Sequence, residues 1–252
     1  MLAGAGVIAG AMNALAGGGS FVTLPALIAS GVPSVTANTT STVALFPGQI
    51  TSAWNYRDGL GPIGPVSLRS LVLATFLGGA IGALLLLRTP ISTFDLILPW
   101  LLAAATVALA FGRRTGELLR RRWRFSAALV LVVQFVLGAY GGYFGGGVGI
   151  MMMAVWSLLD DRTLKSFNAP RTLMVCAANT VAVIIFMAAQ AVAWRQALVI
   201  LVGAIVGGFV GSHAGRRAPA GIVRAGTLAF SVGITLLFFI RAYGASLFGE
   251  GH

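Results

Sequence analysis

Of 252 residues, one is cysteine, two are histidine and six are acidic, and each scarcity removes a class of function. Cys176 stands alone, so one chain can form neither a disulfide nor a thiolate metal cluster. His213 and His252 are the only histidines, and Asp58, Asp95, Glu117, Asp160, Asp161 and Glu250 fall in loops or at the ends of apolar runs. No His/Cys/carboxylate group has metal-ligand spacing, and no carboxylate sits inside a run to relay protons. We therefore expect no enzyme, no metal and no cofactor. Charge of either sign is also scarce: 9% of residues are charged, against roughly 25% in a soluble domain. No charged segment precedes the first apolar stretch, so a cleaved signal peptide is not expected.

What fills the chain instead is apolar. Hydrophobic residues make up 58% and mean hydropathy is +0.92, so its surface must face lipid. A spanning helix needs about 20 mostly apolar residues. Uncharged runs of that order occur at Val35 to Tyr56, Ser70 to Leu87, Leu96 to Phe111, Phe125 to Leu159, Thr172 to Ala193, Gln196 to Val210 and Thr227 to Ile240, and Met1 to Ser30 is uncharged too. The residue-by-residue alternation of a membrane β-barrel is missing. The expected fold is an all-α, polytopic integral membrane protein. A net charge of +11 raises a nucleic-acid partner, but six of the 17 basic residues (Arg113, Arg114, Arg120, Arg121, Arg122, Arg124) share one linker. An ordinary positive-inside loop accounts for them, so the expected partner is a lipid bilayer and not a nucleic acid.

Half of the chain repeats the other half. Gly17-Gly18-Gly19-Ser20 and Gly145-Gly146-Gly147-Val148 interrupt apolar stretches, and polar patches follow at Asn38-Thr39-Thr40-Ser41 and Asn168-Ala169-Pro170-Arg171. Next come Gly78, Gly79, Gly82 and Gly207, Gly208, Gly211, then Arg88 with Pro90 and Arg217 with Pro219. The offsets between equivalents are 128, 130, 129 and 129 residues, the signature of internal duplication. We divide the chain into repeat one at 1–112, a basic linker at 113–124, repeat two at 125–243 and a tail at 244–252.

The glycine breaks decide topology. Leu2 to Ala16, about 22 Å long as a helix at 1.5 Å per residue, falls short of a hydrocarbon core of about 30 Å. If each break only kinks a span, the repeats are parallel, and ten basic residues lie inside against seven outside. If each break is a re-entrant turn, three further spans follow it and the second repeat is inverted. Fourteen basic residues then lie inside and only Arg88, Arg195 and Arg241 outside, which fits the positive-inside rule better. The expected architecture is therefore two inverted repeats, each a Gly-broken re-entrant hairpin plus three transmembrane helices, with the linker cytoplasmic.

Two breaks entering from opposite faces would meet near the midplane. Non-helical backbone is tolerated there only where it is buried in protein or lines a cavity. Its free N–H groups and the half-helix N-termini near Phe21 and Gly149 suit an anion. The candidate substrate-binding residues are Gly17, Gly18, Gly19, Ser20, Asn38, Thr39, Thr40, Gln49, Gly145, Gly146, Gly147, Val148, Asn168, Arg171 and Asn179. Asn179 occupies the position equivalent to Gln49. Arg171 either snorkels to the cytoplasmic surface or draws an anion into the site. Gly78/Gly82 and Gly207/Gly211 have the small-x-x-x-small spacing that lets helices touch.

Gly17-Gly18-Gly19-Ser20 with Pro25, Gly31-Val32-Pro33, Ala37-Asn38-Thr39-Thr40-Ser41, and the run from Gly138 to Gly149 resemble the TauE/SafE family of sulfite and organosulfonate exporters. Repeat two carries Met153 where repeat one has Pro25, so the halves need not contribute equally. The resemblance implies a multi-pass plasma (inner) membrane transporter of small sulfur-containing anions such as sulfite, sulfonates or sulfoacetate. A monovalent anion leaving a cell that is negative inside gains about 2.3 kcal/mol per 100 mV, so export needs no coupling ion. An anion-selective channel on the same scaffold and a non-transporting membrane scaffold are the alternatives, and a homodimer is neither required nor excluded.

Overall fold

The computed structural model describes residues 1–15, 18–119, 126–159, 164–215 and 220–247. Gly17, Arg120, Arg121, Arg122, Arg124, Asp160, Asp161, Arg162, Arg216, Arg217, Pro219 and the end of the tail lie outside the described residues. The described residues form ten α-helices and no β-strand: α1 (Leu2–Leu15), α2 (Ser20–Ala29), α3 (Ser34–Asn55), α4 (Leu68–Arg88), α5 (Ile91–Leu119), α6 (Ala127–Tyr143), α7 (Val148–Leu159), α8 (Asn168–Ala188), α9 (Trp194–Gly215) and α10 (Ala220–Leu247). Helix α5 runs through 113–119, the first part of the expected linker, and α10 continues past 243 to Leu247. No proline interrupts either extension, and a helix satisfies its own backbone hydrogen bonds on leaving the membrane.

Five helices are long and apolar enough to cross a membrane: α4, α5 over Ile91–Phe111, α8, α9 over Trp194–Gly211 and α10 over Ala225–Gly244. The chain is thus an all-α polytopic membrane protein. Its lipid-facing surface includes Phe209, Val202 and Ile240, each more than 60% exposed. Helix α3 was expected as a sixth span. Its 22 residues suffice, at about 33 Å, yet it falls outside the apolar set. Its polar residues Asn38, Thr39, Thr40, Ser41 and Thr42 are buried in protein, so low hydropathy there carries no lipid-exposure penalty.

Helices α1 and α2 together, and α6 and α7 together, fold back rather than bend. The Asn13 side-chain oxygen accepts from Gly19 N–H at 2.9 Å, and Val22 of α2 packs in one cluster with Ala5 and Ala9 of α1. In the second pair, Trp156 Nε1 donates to Gln134 Oε1 at 2.9 Å while Val148 packs on Gly141. Both are antiparallel hairpins of 10 to 17 residues per arm, shorter than the about 20 residues of a typical span. Gly145 (φ +74°) and Gly147 (φ +73°) turn the second hairpin in the left-handed region that favours glycine.

Each hairpin's first helix packs on the other half of the chain. In α4 against α6, Gly138 seats on Thr75 and Gly78 on Phe135; in α1 against α9, Gly10 seats on Ala204 and Gly207 on Val7. These contacts are equivalent at offsets of 128 and 129 residues. A Cβ at Gly138 would stand 2.5 Å from the Thr75 carbonyl oxygen, and one at Gly6 would stand 2.6 Å from that of Ile200. Only glycine permits such an approach. Equivalent helices also meet each other. Helix α5 runs antiparallel to α10, with Thr106 Oγ1 3.1 Å from Thr235 Oγ1 and Trp100 Nε1 donating to Tyr243 Oη at 3.1 Å. Helix α3 runs antiparallel to α8, from Thr39 donating to the Ala191 carbonyl just beyond α8, through Gln49 beside Asn179, to Gly59 beside Ala169.

Replacing Gly78 or Gly207 by alanine forces these backbones apart, an overpacking cost of about 1–3 kcal/mol. The thermal midpoint in detergent is expected to fall for both. It should hold for Gly48→Ala, where the added methyl meets nothing within 4 Å.

Candidate functional site

The two hairpin turns meet. The Phe21 ring of α2 lies 3.5 Å from where Gly147 would carry a Cβ, and Ala105 of α5 closes the other side at 2.7 Å. Beside this junction a cavity of about 70 Å³ opens among Asn13, Ser20, Gln49, Ser52, Gly145, Val148, Gly149, Ile150, Arg171, Thr172 and Val175. That is several times the roughly 10–15 Å³ one water needs, so it admits a small ion and excludes a large organic solute.

Its chemistry comes from four elements. At the α7 N-terminus the Val148 and Gly149 N–H groups have no backbone acceptor among the described residues, because the first bonds of that helix run from Ile150 and Met151 to the Gly147 carbonyl. They present donors and the positive end of a helix dipole. Arg171, in the first turn of α8, lays its side-chain carbons across Gly149 at 3.3 to 3.4 Å from where that residue would carry a Cβ. It is half-buried, and among the described residues no carboxylate pairs with it. From α3 comes Gln49, whose Oε1 accepts from Asn179 Nδ2 at 2.6 Å, leaving its own amide N–H groups for the cavity. Ser20 opens α2 and adds a hydroxyl. The lining is therefore cationic and rich in donors, the complement of a small oxyanion.

Of the expected residues, Ser20, Gln49, Gly145, Val148 and Arg171 line this cavity, and Asn179 stands behind Gln49. Gly18, Gly19, Gly146 and Gly147 shape the turns instead. The Asn38-Thr39-Thr40 patch takes another role: Asn38 Nδ2 donates to the Tyr143 carbonyl at 2.9 Å, Thr39 Oγ1 to that of Ala191, and Thr40 Oγ1 accepts from Ala193 N–H at 3.0 Å. These bonds tie the start of α3 to the α6 C-terminus and to the α8–α9 turn. Asn168 sits at the α8 N-terminus, its carbonyl accepting from Thr172 Oγ1, and does not line the cavity. Asn13, Ser52, Ile150, Thr172 and Val175 are not among the expected residues, and Gly149 was expected only as the start of a half-helix. Val175 follows Arg171 by four residues and Ser52 follows Gln49 by three, so α-helical periodicity could have found these two. Asn13 precedes the first glycine run, and only the fold-back brings it to the cavity.

Fold and cavity define a polytopic helical membrane protein with a donor-rich cavity. Residues 2–238 match the family described as sulfite exporter TauE/SafE, and the chain belongs to that family. A Haemophilus influenzae protein named a probable membrane transporter protein is 28% identical over 215 residues, 82% of this chain and 81% of the relative. The Escherichia coli probable membrane transporter protein YfcA is 27% identical over 207 residues, 82% of this chain and 77% of the relative. In Sinorhizobium the probable membrane transporter protein ORF9 is 29% identical over 227 residues, 87% of this chain and 84% of the relative. No solved structure is a significant match.

The tie and the cavity separate by mutation. Asn38→Ala leaves the Tyr143 carbonyl unpaired and should lower the ligand-free thermal midpoint, a cost of about 1–3 kcal/mol. Arg171→Ala should leave that midpoint almost unchanged.

Proposed function

We propose that this protein is a secondary transporter or uniporter for a small sulfur-containing anion, such as sulfite, a sulfonate or sulfoacetate. The observation that carries this reading is the juxtaposition of Arg171 with the free N–H groups of the α7 N-terminus inside a cavity of about 70 Å³. The family description supplies the sulfur anion, and the size and charge of the cavity agree with it.

The halves act as inverted repeats. Each contributes a re-entrant hairpin and three spans, and the hairpins enter the plasma membrane from opposite faces. Support comes from the antiparallel course of α5 with α10 and of α3 with α8, since equivalent helices run in opposite directions only when a two-fold axis lies across them. The charge count, fourteen inside against three outside, orients the basic linker toward the cytoplasm. The cavity then faces the cytoplasm, where Arg57, Arg69 and Arg171 gather. On the opposite side the Thr39 and Thr40 ties close the path. This is the loading state of an exporter, and the membrane potential drives a monovalent anion outward.

A thermal-shift screen of the detergent-solubilised protein at fixed sodium should show stabilisation by sulfite or a sulfonate. At about 100 times its dissociation constant the ligand adds about 2.7 kcal/mol. Arg171→Ala should lose that response. Stabilisation by carboxylates and by no sulfur anion would sink the substrate assignment, and single-channel currents from reconstituted protein would replace the transporter with a channel. Orientation has its own measurement. In a Cys176→Ser background, a cysteine at Asp58 should label only from the cytoplasm and one at Gln190 only from outside, and the reverse pattern overturns the topology.

A further inference from the structure

Among the described residues, Asn13 is the one residue of α1 that lines the anion cavity, and the orientation of its carboxamide is fixed by chemistry. Its Oδ1 accepts from the Gly19 backbone N–H at 2.9 Å. A backbone N–H can only donate, so turning the amide over would set donor against donor. The oxygen is therefore committed to the hairpin turn, and Nδ2 is the end left for the cavity. Among the described residues no protein acceptor takes either of its N–H groups. Gly19 holds the amide in place: a Cβ there would stand 2.9 Å from Asn13 Cγ and 2.8 Å from the Ala9 carbonyl oxygen, so only glycine lets the turn close this tightly on α1.

The duplication shows that closing a hairpin does not require this amide. Counting by the 128-residue offset of the glycine breaks, the second half carries Gly141 where the first has Asn13. The second hairpin closes without a carboxamide there, through Gly145 and Gly147 at positive φ. Arg171 is the other departure from the repeat, since the first half has Ser41 in its place at an offset of 130 residues. Both departures fall on one cavity, and both bring N–H donors to it. An anion accepts from such donors in charge-assisted hydrogen bonds, about twice as strong as neutral ones.

We propose that Asn13 is a substrate-contacting residue, whose Nδ2 group donates to the bound oxyanion while its Oδ1 holds the Gly19 turn. The inference rests on the anion site proposed above and adds to it a ligand contact from the first hairpin. The anion then joins the two hairpins, Asn13 of the first to the α7 N-terminus of the second. Turn and ligand share one side chain, so each stabilises the other.

The test follows the asparagine side-chain amide resonances of the solubilised, nitrogen-15-labelled protein as methanesulfonate is titrated in, beside the thermal midpoint of the same samples. The chain has five asparagines, and the Asn13 pair is the one missing from Asn13→Asp. In the wild type that pair should move saturably, with the half-saturation the thermal midpoint gives. The Asn38 pair, given to the Tyr143 carbonyl, should stay where it is. Asn13→Asp keeps an acceptor for Gly19 and loses the donors, so its ligand-free midpoint should hold while its response to methanesulfonate disappears. Asn13→Ala adds no charge and should raise half-saturation about ten- to a hundredfold, the worth of one hydrogen bond to a charged group. An Asn13 pair that stays still while the wild-type midpoint responds overturns the proposal and leaves the anion site standing, a result that holds even if Asn13→Ala does not fold. So does an Asn13→Ala half-saturation equal to that of the wild type. A wild type that responds to neither methanesulfonate nor sulfite overturns the anion site and this contact with it.

Discussion

Everything in this molecule hangs on backbone touching backbone at two equivalent seams, α1 against α9 and α4 against α6. In a bilayer, helices gain little by burying leucine against leucine, because lipid offers the same surroundings. Association then rests on van der Waals contact at close range, and glycine supplies it. Gly6, Gly10, Gly203, Gly207 and Gly211 line one seam, and Gly78, Gly82, Gly138 and Gly142 the other. Because each seam joins a hairpin from one half to a span from the other, neither half is complete alone. The seams hold both turns against the centre of the molecule.

Having brought the turns together, the fold must satisfy polar groups in a place without bulk water. It does so unevenly. On one side Asn38, Thr39 and Thr40 meet backbone partners from the other half, so the polar patch there is spent on holding the structure. Across the axis, Arg171, Gln49 and the first N–H groups of α7 lack protein acceptors among the described residues. A network that is fully paired rigidifies, whereas one left with unmatched donors reserves them for a ligand. The duplicated sequence thus yields two chemically different sides, since Arg171 stands where the first half has Ser41.

The axis itself is marked by pairs of equivalent residues. Gln49 meets Asn179, and Thr106 meets Thr235. A symmetric position filled by two different amides breaks the symmetry where ligands would lie. The longer side chain of Gln49 lines the cavity. Asn179, shorter and fully buried, stands behind it.

Much of this was legible in the chain: the membrane class from hydropathy, the duplication from constant offsets, the seams from small-x-x-x-small glycine pairs, and the fold-back at the two glycine breaks from the shortness of the segment before the first. Those features are local, or periodic, and survive in one dimension. What the chain withheld was the division of labour among its polar residues. Asn38 and Asn168 share a motif with Arg171, yet Asn38 became a tie and Asn168 the start of a helix. Asn13 and Ser52 carry no motif, yet they line the cavity. Which polar group finds a partner depends on the helix that arrives from more than a hundred residues away, as Tyr143 does for Asn38. Composition and spacing fix the need for a partner, and only tertiary packing decides which needs are met and which are left for a ligand.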